Sequence, residues 1–167
     1  TGVGGGIIVD DVNVEGEHSH DSECGHMLVD PSAEARPCPC GQRGHLEAYA
    51  SATSLVLMAR ERLAAGATGP LATAVAAGEP LTTVLLGRMT AGGDEISRGV
   101  LLEAARWLGI GIVSLMHAID PAAVVIGGAM TFGGEADPVG TMFIDRIRAE
   151  GRARARSEEH TSELQSR

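Results

Sequence analysis

Four side chains within one short stretch could hold a metal ion: His26, Cys38, Cys40 and His45. Eleven residues separate His26 from Cys38, Pro39 alone separates the cysteines, and Gly41, Gln42, Arg43 and Gly44 separate Cys40 from His45. Two thiolates and two imidazoles make a closed tetrahedral set of the kind zinc takes, and the prolines and glycines between them suit a loop that folds back on one centre. Cys-x-Cys is tighter than the usual zinc-finger spacing, so a second reading, two reduced thiols and two loop histidines, stays open. Carboxylates flank the loop, Glu23 three residues before His26 and Glu47 two after His45. Because carboxylates accept hydrogen bonds from neutral hydroxyls, Glu23, Glu47 and an imidazole on one rim would suit a sugar, although each alone also reads as solvated loop charge. Cys24 has the default role of a small buried hydrophobe, and His18 and His20 read as loop histidines facing solvent.

Two glycine-bearing stretches lie outside that loop. Thr1, Gly2, Val3, Gly4, Gly5 and Gly6 precede the run Ile7, Ile8 and Val9. Glycines let a backbone approach a ligand closely, and consecutive amides can cradle phosphate oxygens. Alone the signal is weak, since it matches neither the dinucleotide fingerprint nor a phosphate loop with its lysine, and a tight hairpin entry explains it as well. Gly127 and Gly128 follow the apolar run Ala122 to Ile126, at the carboxyl end of an expected strand, where open α/β sheets bind ligands.

In sequence order, TGVGGGII, ECGHM, CPCGQRGHLEAYAS and DPAAVVIGGAM resemble the C-terminal half of the ROK family (repressor, open reading frame, kinase), from Thr1 to about Glu150. The resemblance implies an α/β fold, the C-terminal half of the actin-like ATPase (ribonuclease H-like) fold with a zinc-binding loop. It implies ATP-dependent phosphorylation of a hexose, glucose first among the candidates, or the effector domain of a sugar-sensing repressor. Under it, Glu23, His26 and Glu47 hold the sugar, and Thr1, Gly2, Val3, Gly4 and Gly5 form the second phosphate-binding loop. Gly127 and Gly128 contact the adenosine, and His26, Cys38, Cys40 and His45 bind a structural Zn²⁺. ATP and Mg²⁺ are the other cofactors implied, and a homodimer is the expected assembly. His45 departs from the family pattern, which has a third cysteine there; imidazole is an acceptable zinc ligand. The HSHDS segment before the ECGH motif is also unlike the family's usual small residues. The family's catalytic aspartate and first phosphate-binding loop lie upstream of Thr1, so residues 1–155 are expected to be a C-terminal kinase domain without its base and inactive alone.

The chain has 167 residues, 44% hydrophobic and 21% charged, enough for one domain with a real core. A net charge of -9 argues against nucleic acid as a partner of this segment, because phosphate contacts need clustered cations. Tyr49, Trp107, Phe132 and Phe143 are too few for a base-stacking platform. No uninterrupted apolar run reaches the ~20 residues of a membrane span. Three cysteines, two of them in a ligand-like loop, favour a reducing compartment, the cytoplasm. Residues 156–167, RSEEHTSELQSR, resemble a translated sequencing adapter and are expected to be a disordered tail.

The elements that must position these groups can be read in order. Asp10 and Asp11 form the turn of a hairpin, with Val12 and Val14 on its return strand. Met27 to Val29 make a short strand that Asp30 and Pro31 end. A helix from Leu46 to Gly66 carries Glu47 in its first turn and buries a stripe of Tyr49, Thr53, Val56 and Leu57. Leu71 to Met89 give two short helices split at Gly78 and Pro80. Asp94 opens a long helix that Asp120 and Pro121 end, its second half apolar all round. Ala122 to Ile126 suit a strand in a covered sheet, and Pro138 to Arg148 a last helix.

Overall fold

The computed structural model describes residues 2–17 and 23–155, and the backbone of residues 163–166. Strands β1 (Ile8–Val9) and β2 (Val12–Asn13) pair antiparallel, with Ile8 opposite Asn13 and Val9 opposite Val12. Asp10 and Asp11 both take positive φ, 50° and 62°, as the mirror-image hairpin turn requires. A single 3₁₀ turn, Cys24–His26, opens the loop that carries the candidate ligands. The helices are α1 (Glu47–Ala50), α2 (Ala52–Ala64), α3 (Pro70–Ala76), α4 (Thr83–Ala91) and α5 (Glu95–Ile119). Strand β3 (Ala123–Ile126) then leads through short 3₁₀ turns into α6 (Pro138–Arg154).

Helix α5 is the foundation. Its start is fixed by Asp94, whose carboxylate accepts hydrogen bonds from the Ser97 amide at 2.7 Å and the Leu71 amide at 3.1 Å. Asp94 is 1% exposed, yet its carboxyl is held below the usual range: burial raises it, and the amide hydrogen bonds outweigh that effect. Val100, Leu101, Ala104, Ala105, Ile112 and Met116 of α5 pack with Phe143, Ile144 and Ile147 of α6 and Leu85 and Leu86 of α4. Gly109 lets α6 in close, since a Cβ there would lie 2.7 Å from Glu150 Cβ. The left-handed Asp120 ends the helix. By length and apolar composition α5 could cross a membrane, but half of its most apolar stretch is buried in this core. Ser114 and His117 lie exposed, so its second half is buried on one side rather than all round.

Four other expectations shift. The helix expected from Leu46 to Gly66 breaks at Ser51, which takes extended backbone and caps α2 by accepting from the Ser54 amide at 3.2 Å. The break turns the following helix, so Ser54, Leu55, Met58 and Ala59 are its buried residues while Thr53 and Leu57 are exposed. The strand expected at Met27 to Val29 reduces to one antiparallel bridge, Leu28 to His45. β3 is covered on one face only, with Val125 61% exposed. Residues 163–166, inside the segment expected to be a disordered tail, form β4 (Glu163–Ser166), parallel to β3. An open strand edge offers unpaired amides and carbonyls to any segment that reaches it, whatever its sequence. Residues 156–162 and 167 lie outside the described residues.

Candidate functional site

The loop between the 3₁₀ turn and α1 is built on its own backbone pairing. The Val29 and Asp30 amides donate to Gly44 O, the Leu46 amide to Met27 O, the Gly44 amide to Arg36 O and the Cys38 amide to Gln42 O. Leu28 thus bridges to His45, and Pro37 to Arg43. Gly44 is required at this crossing: its φ is +79°, and a Cβ would lie 2.0 Å from Asp30 O.

This pairing brings His26, Cys38, Cys40 and His45 together. One ligand atom from each lies within 4.8 Å of the others. A tetrahedral centre with Zn–S bonds of ~2.3 Å has ligand-to-ligand edges of about 3.8 Å, so a contraction of about 1 Å along the longest edge would close the set. The His45 Nδ1 and Cys40 Sγ atoms are already 3.2 Å apart, and the two imidazoles meet edge to face with centroids 5.4 Å apart. Burial pushes the Cys38 thiol up, and neighbouring Cys40 and Glu47 add to the rise, so a nearby cation is what would stabilise its thiolate. The donor chemistry and the spacing therefore fit a structural metal ion. Burial also pushes the Cys24 thiol up, as befits its expected role as a small buried hydrophobe.

The carboxylates occupy different places. Glu23 Oε2 lies 2.8 Å from His26 Nδ1, both side chains exposed. With Nδ1 so engaged, Nε2 is the nitrogen left for a metal. Glu47, in the first turn of α1, accepts a hydrogen bond from the Val3 amide at 3.1 Å. The glycine segment is thereby clamped: a Cβ on Gly2 would lie 1.9 Å from Glu47 Oε2, and one on Gly25 would lie 2.2 Å from Val3 O. Gly4, Gly5 and Gly6 remain exposed, with open space around Gly4 and Gly6. Thr1, His18 and His20 lie outside the described residues.

Gly127 and Gly128 are exposed and in open space, Gly128 at φ +94°. Beside them, Ala129 and Phe132 join Thr83, Gly87, Arg88 and Val139 in lining a half-open cleft of about 320 Å³. Gly87 makes room for the Phe132 ring, since a Cβ there would lie 3.2 Å from its Cδ1. The Phe132 ring in turn meets Phe143 edge to face at 5.4 Å.

Comparison with known proteins decides the family. The sequence model of the ROK family matches residues 1–163. The chain belongs to the ROK family. It is 33% identical over 135 residues to a glucokinase of Halalkalibacterium halodurans, covering 81% of this chain and 41% of that one. A ROK family glucokinase from Streptomyces griseus, solved with glucose and AMPPNP, superimposes with a TM-score of 0.80 at 30% identity, over 99% of this chain and 52% of that one. A ROK family transcriptional regulator, a homologue of the E. coli MLC protein, superimposes with a TM-score of 0.83 at 25% identity, over 99% and 38%. The chain thus spans less than half the length of the glucokinase sequence it matches. These likenesses make it a glucokinase-like ROK protein of α/β class.

What the sequence reading missed is the support beneath the loop. Tyr49, placed only in a buried stripe, donates from its hydroxyl to Asp30 Oδ2 at 2.6 Å and accepts from the Arg36 amide at 2.8 Å. Its ring packs on Trp107 of α5, with centroids 4.3 Å apart. Burial and the bond to Asp30 push its hydroxyl up to about 12, while the bonds from Tyr49 and Ser32 hold the Asp30 carboxyl below the usual range. The rarity of aromatics was the available signal: with two Phe, one Tyr and one Trp in 167 residues, a tyrosine four residues after a candidate ligand stands out.

Proposed function

We propose that this chain is the sugar- and nucleotide-contacting part of an ATP-dependent hexose kinase acting on glucose. The observation that carries the reading is the clamp at Glu47. One carboxylate at the rim of the candidate metal loop holds the glycine segment through the Val3 amide, so a sugar group and a phosphate group would meet at neighbouring places. Glu23, His26 and Glu47 form the sugar rim. Thr1, Gly2, Val3, Gly4 and Gly5 would bind the phosphates, and the cleft beside Gly127 and Gly128 would take the adenosine.

The roles of the side chains follow from their chemistry. Glu23 and Glu47 accept hydrogen bonds from sugar hydroxyls, and the Glu23 bond to His26 fixes the orientation of that ring. Amides of the glycine segment are donors for phosphate oxygens. His26, Cys38, Cys40 and His45 would hold Zn²⁺, which supplies rigidity to the sugar loop. Mg²⁺ would accompany the nucleotide phosphates, as phosphoryl transfer requires charge neutralisation there. The base that takes the hydroxyl proton is not among these residues, so the 167 residues alone are expected to be inactive. A cytoplasmic homodimer is the expected setting.

The likeness to the transcriptional regulator favours a second reading, a repressor domain that binds the sugar as effector. Expression of the gene extended upstream of Thr1 separates the two. ATP-dependent formation of glucose 6-phosphate by the longer protein, with none from residues 1–167, is the expected result. Sugar binding without turnover by a longer protein that carries a helix-turn-helix would replace the kinase reading with the repressor.

A further inference from the structure

The metal loop has two arms, one running from the 3₁₀ turn through Asp30 and one running from Arg36 to Cys38, with residues 31–35 between them. Both arms pair with the strand-like segment from Gln42 to Leu46, Met27 to Asp30 on one side and Arg36 to Cys38 on the other. In that pairing Asp30 and Arg36 are joined only through the backbone of Gly44, whose carbonyl accepts from the Asp30 amide and whose amide donates to Arg36 O. The Tyr49 hydroxyl adds the one side-chain brace between them among the described residues: it donates to the Asp30 carboxylate and accepts from the Arg36 amide, which saturates its one donor and one of its lone pairs. Its ring, 3% exposed, packs in one cluster with Cys38 and Ala48, and Val29 and Trp107 cover it. The Arg36 guanidinium anchors the same arm to α2 through two bonds to Glu61, at 2.8 and 2.9 Å.

We infer that Tyr49 is a positioning residue of the metal loop: its hydroxyl braces the separation that Gly44 spans through the backbone, and so the placement of Cys38 and Cys40 relative to His26 and His45. The inference rests on the metal reading proposed above. Partners that orient ligands from behind matter to affinity because a ligand set that must be pulled into place spends binding energy on doing so, and losing one such partner typically lowers metal affinity about 10–100-fold.

The test is Tyr49→Phe, which keeps the ring and deletes the hydroxyl, made in the 167-residue chain. Zn²⁺ affinity is measured by competition with a chromophoric chelator, and the ligand geometry by the visible spectrum of the Co²⁺-loaded protein. Ile144→Val, a fully buried change in the α5–α6 core, serves as a control for general loss of stability. The expected result is a fall in Zn²⁺ affinity of about tenfold and a shifted Co²⁺ spectrum for Tyr49→Phe, with neither change in the Ile144→Val protein. Should Tyr49→Phe fail to fold, Asp30→Ala removes the same bond from its other end and is expected to lower affinity in the same direction. Wild-type affinity in the tyrosine variant, or an equal fall in the Ile144→Val control, overturns the positioning role while leaving the metal site standing. Absence of stoichiometric Zn²⁺ binding by the wild-type chain overturns both.

Discussion

Adding one methyl group at Gly25 pits two responses against each other, and the structure says which is cheaper. The new Cβ would sit 2.2 Å from Val3 O and 3.2 Å from Val3 C, both backbone atoms that cannot rotate out of the way. Relief needs a shift of about 1 Å or more. Distorting the Cys24–His26 turn would repack buried Cys24 and disturb His26, at the ~1–3 kcal/mol typical of overpacking. Releasing the glycine segment instead sacrifices one hydrogen bond, Val3 to Glu47, and little apolar burial, because Gly2, Gly4, Gly5 and Gly6 are exposed. That bond goes to a charged but partly exposed acceptor, so its loss costs about 1.5 kcal/mol. The two figures overlap, and the second route is favoured because it leaves buried Cys24 and the candidate ligand His26 in place. Gly25→Ala should therefore leave the cooperative melting temperature within about 3–6 °C of wild type, by the usual 2–4 °C per kcal/mol for a chain of this size. The Val3 amide should exchange with solvent about tenfold faster, since each 1.4 kcal/mol is a factor of ten. Hydrogen exchange followed by NMR or mass spectrometry, alongside a thermal melt, reads both numbers. A Val3 amide that exchanges at the wild-type rate, together with a melting temperature lowered by 10 °C or more, would show the turn yielding and refute the reasoning.

Cys38→Ser replaces a buried thiol of the metal set with a hydroxyl, and is expected to abolish stoichiometric Zn²⁺ in the purified protein and to lower its thermal stability; elemental analysis showing equal zinc in both proteins would refute the assignment. Asp94→Ala removes the cap of α5 and strands the Leu71 amide, costing about 1 kcal/mol for the cap and ~1–3 for the buried donor, hence a melting temperature roughly 4–16 °C lower. The pH dependence has a definite sign. Because the folded carboxyl of Asp94 lies below its unfolded value of about 3.9, its contribution is fully present above that pH and fades as the pH falls through the folded value. The wild-type and Asp94→Ala melting temperatures should therefore converge in acid below about pH 4; a constant gap down to the lowest measurable pH would refute it.

Chemistry was more legible in the sequence than support. The four side chains that the fold gathers could be named from residue type and spacing, because His and Cys are metal-ligating types and Pro39 alone separates the two cysteines. The stop signals also read correctly: Asp94 caps α5, Asp120 ends it in the left-handed conformation, and α3 and α4 divide around Gly78 and Pro80. The break at Ser51 did not read, because serine within an alanine-rich run looks neutral, and its capping role shows only once its Oγ accepts from the Ser54 amide at 3.2 Å. Nor could spacing show that Asp30, Arg36 and Tyr49 meet, since they are separated by up to 19 residues and joined only by the folded loop. Val125 was expected inside a covered sheet because an apolar run does not reveal which of its faces has a partner.

The support also explains why a long apolar helix matters to a polar loop about a candidate metal site. Helix α5 presents Trp107 to the Tyr49 ring, and Gly111 to Leu46, where a Cβ would lie 2.7 Å from Leu46 Cδ2. Leu46, 2% exposed, stands between His45 and Glu47, the last candidate ligand and the carboxylate that holds the glycine segment. One helix thus sets the height of three neighbouring groups: the imidazole of His45, the clamp at Glu47 and the hydroxyl of Tyr49. A side chain at Gly111 would push Leu46 outward and move all three together, whereas a change at Tyr49 alone moves only the arms of the loop. The glycine in the middle of α5, unfavourable to an isolated helix by about 1 kcal/mol, is accounted for by that close approach.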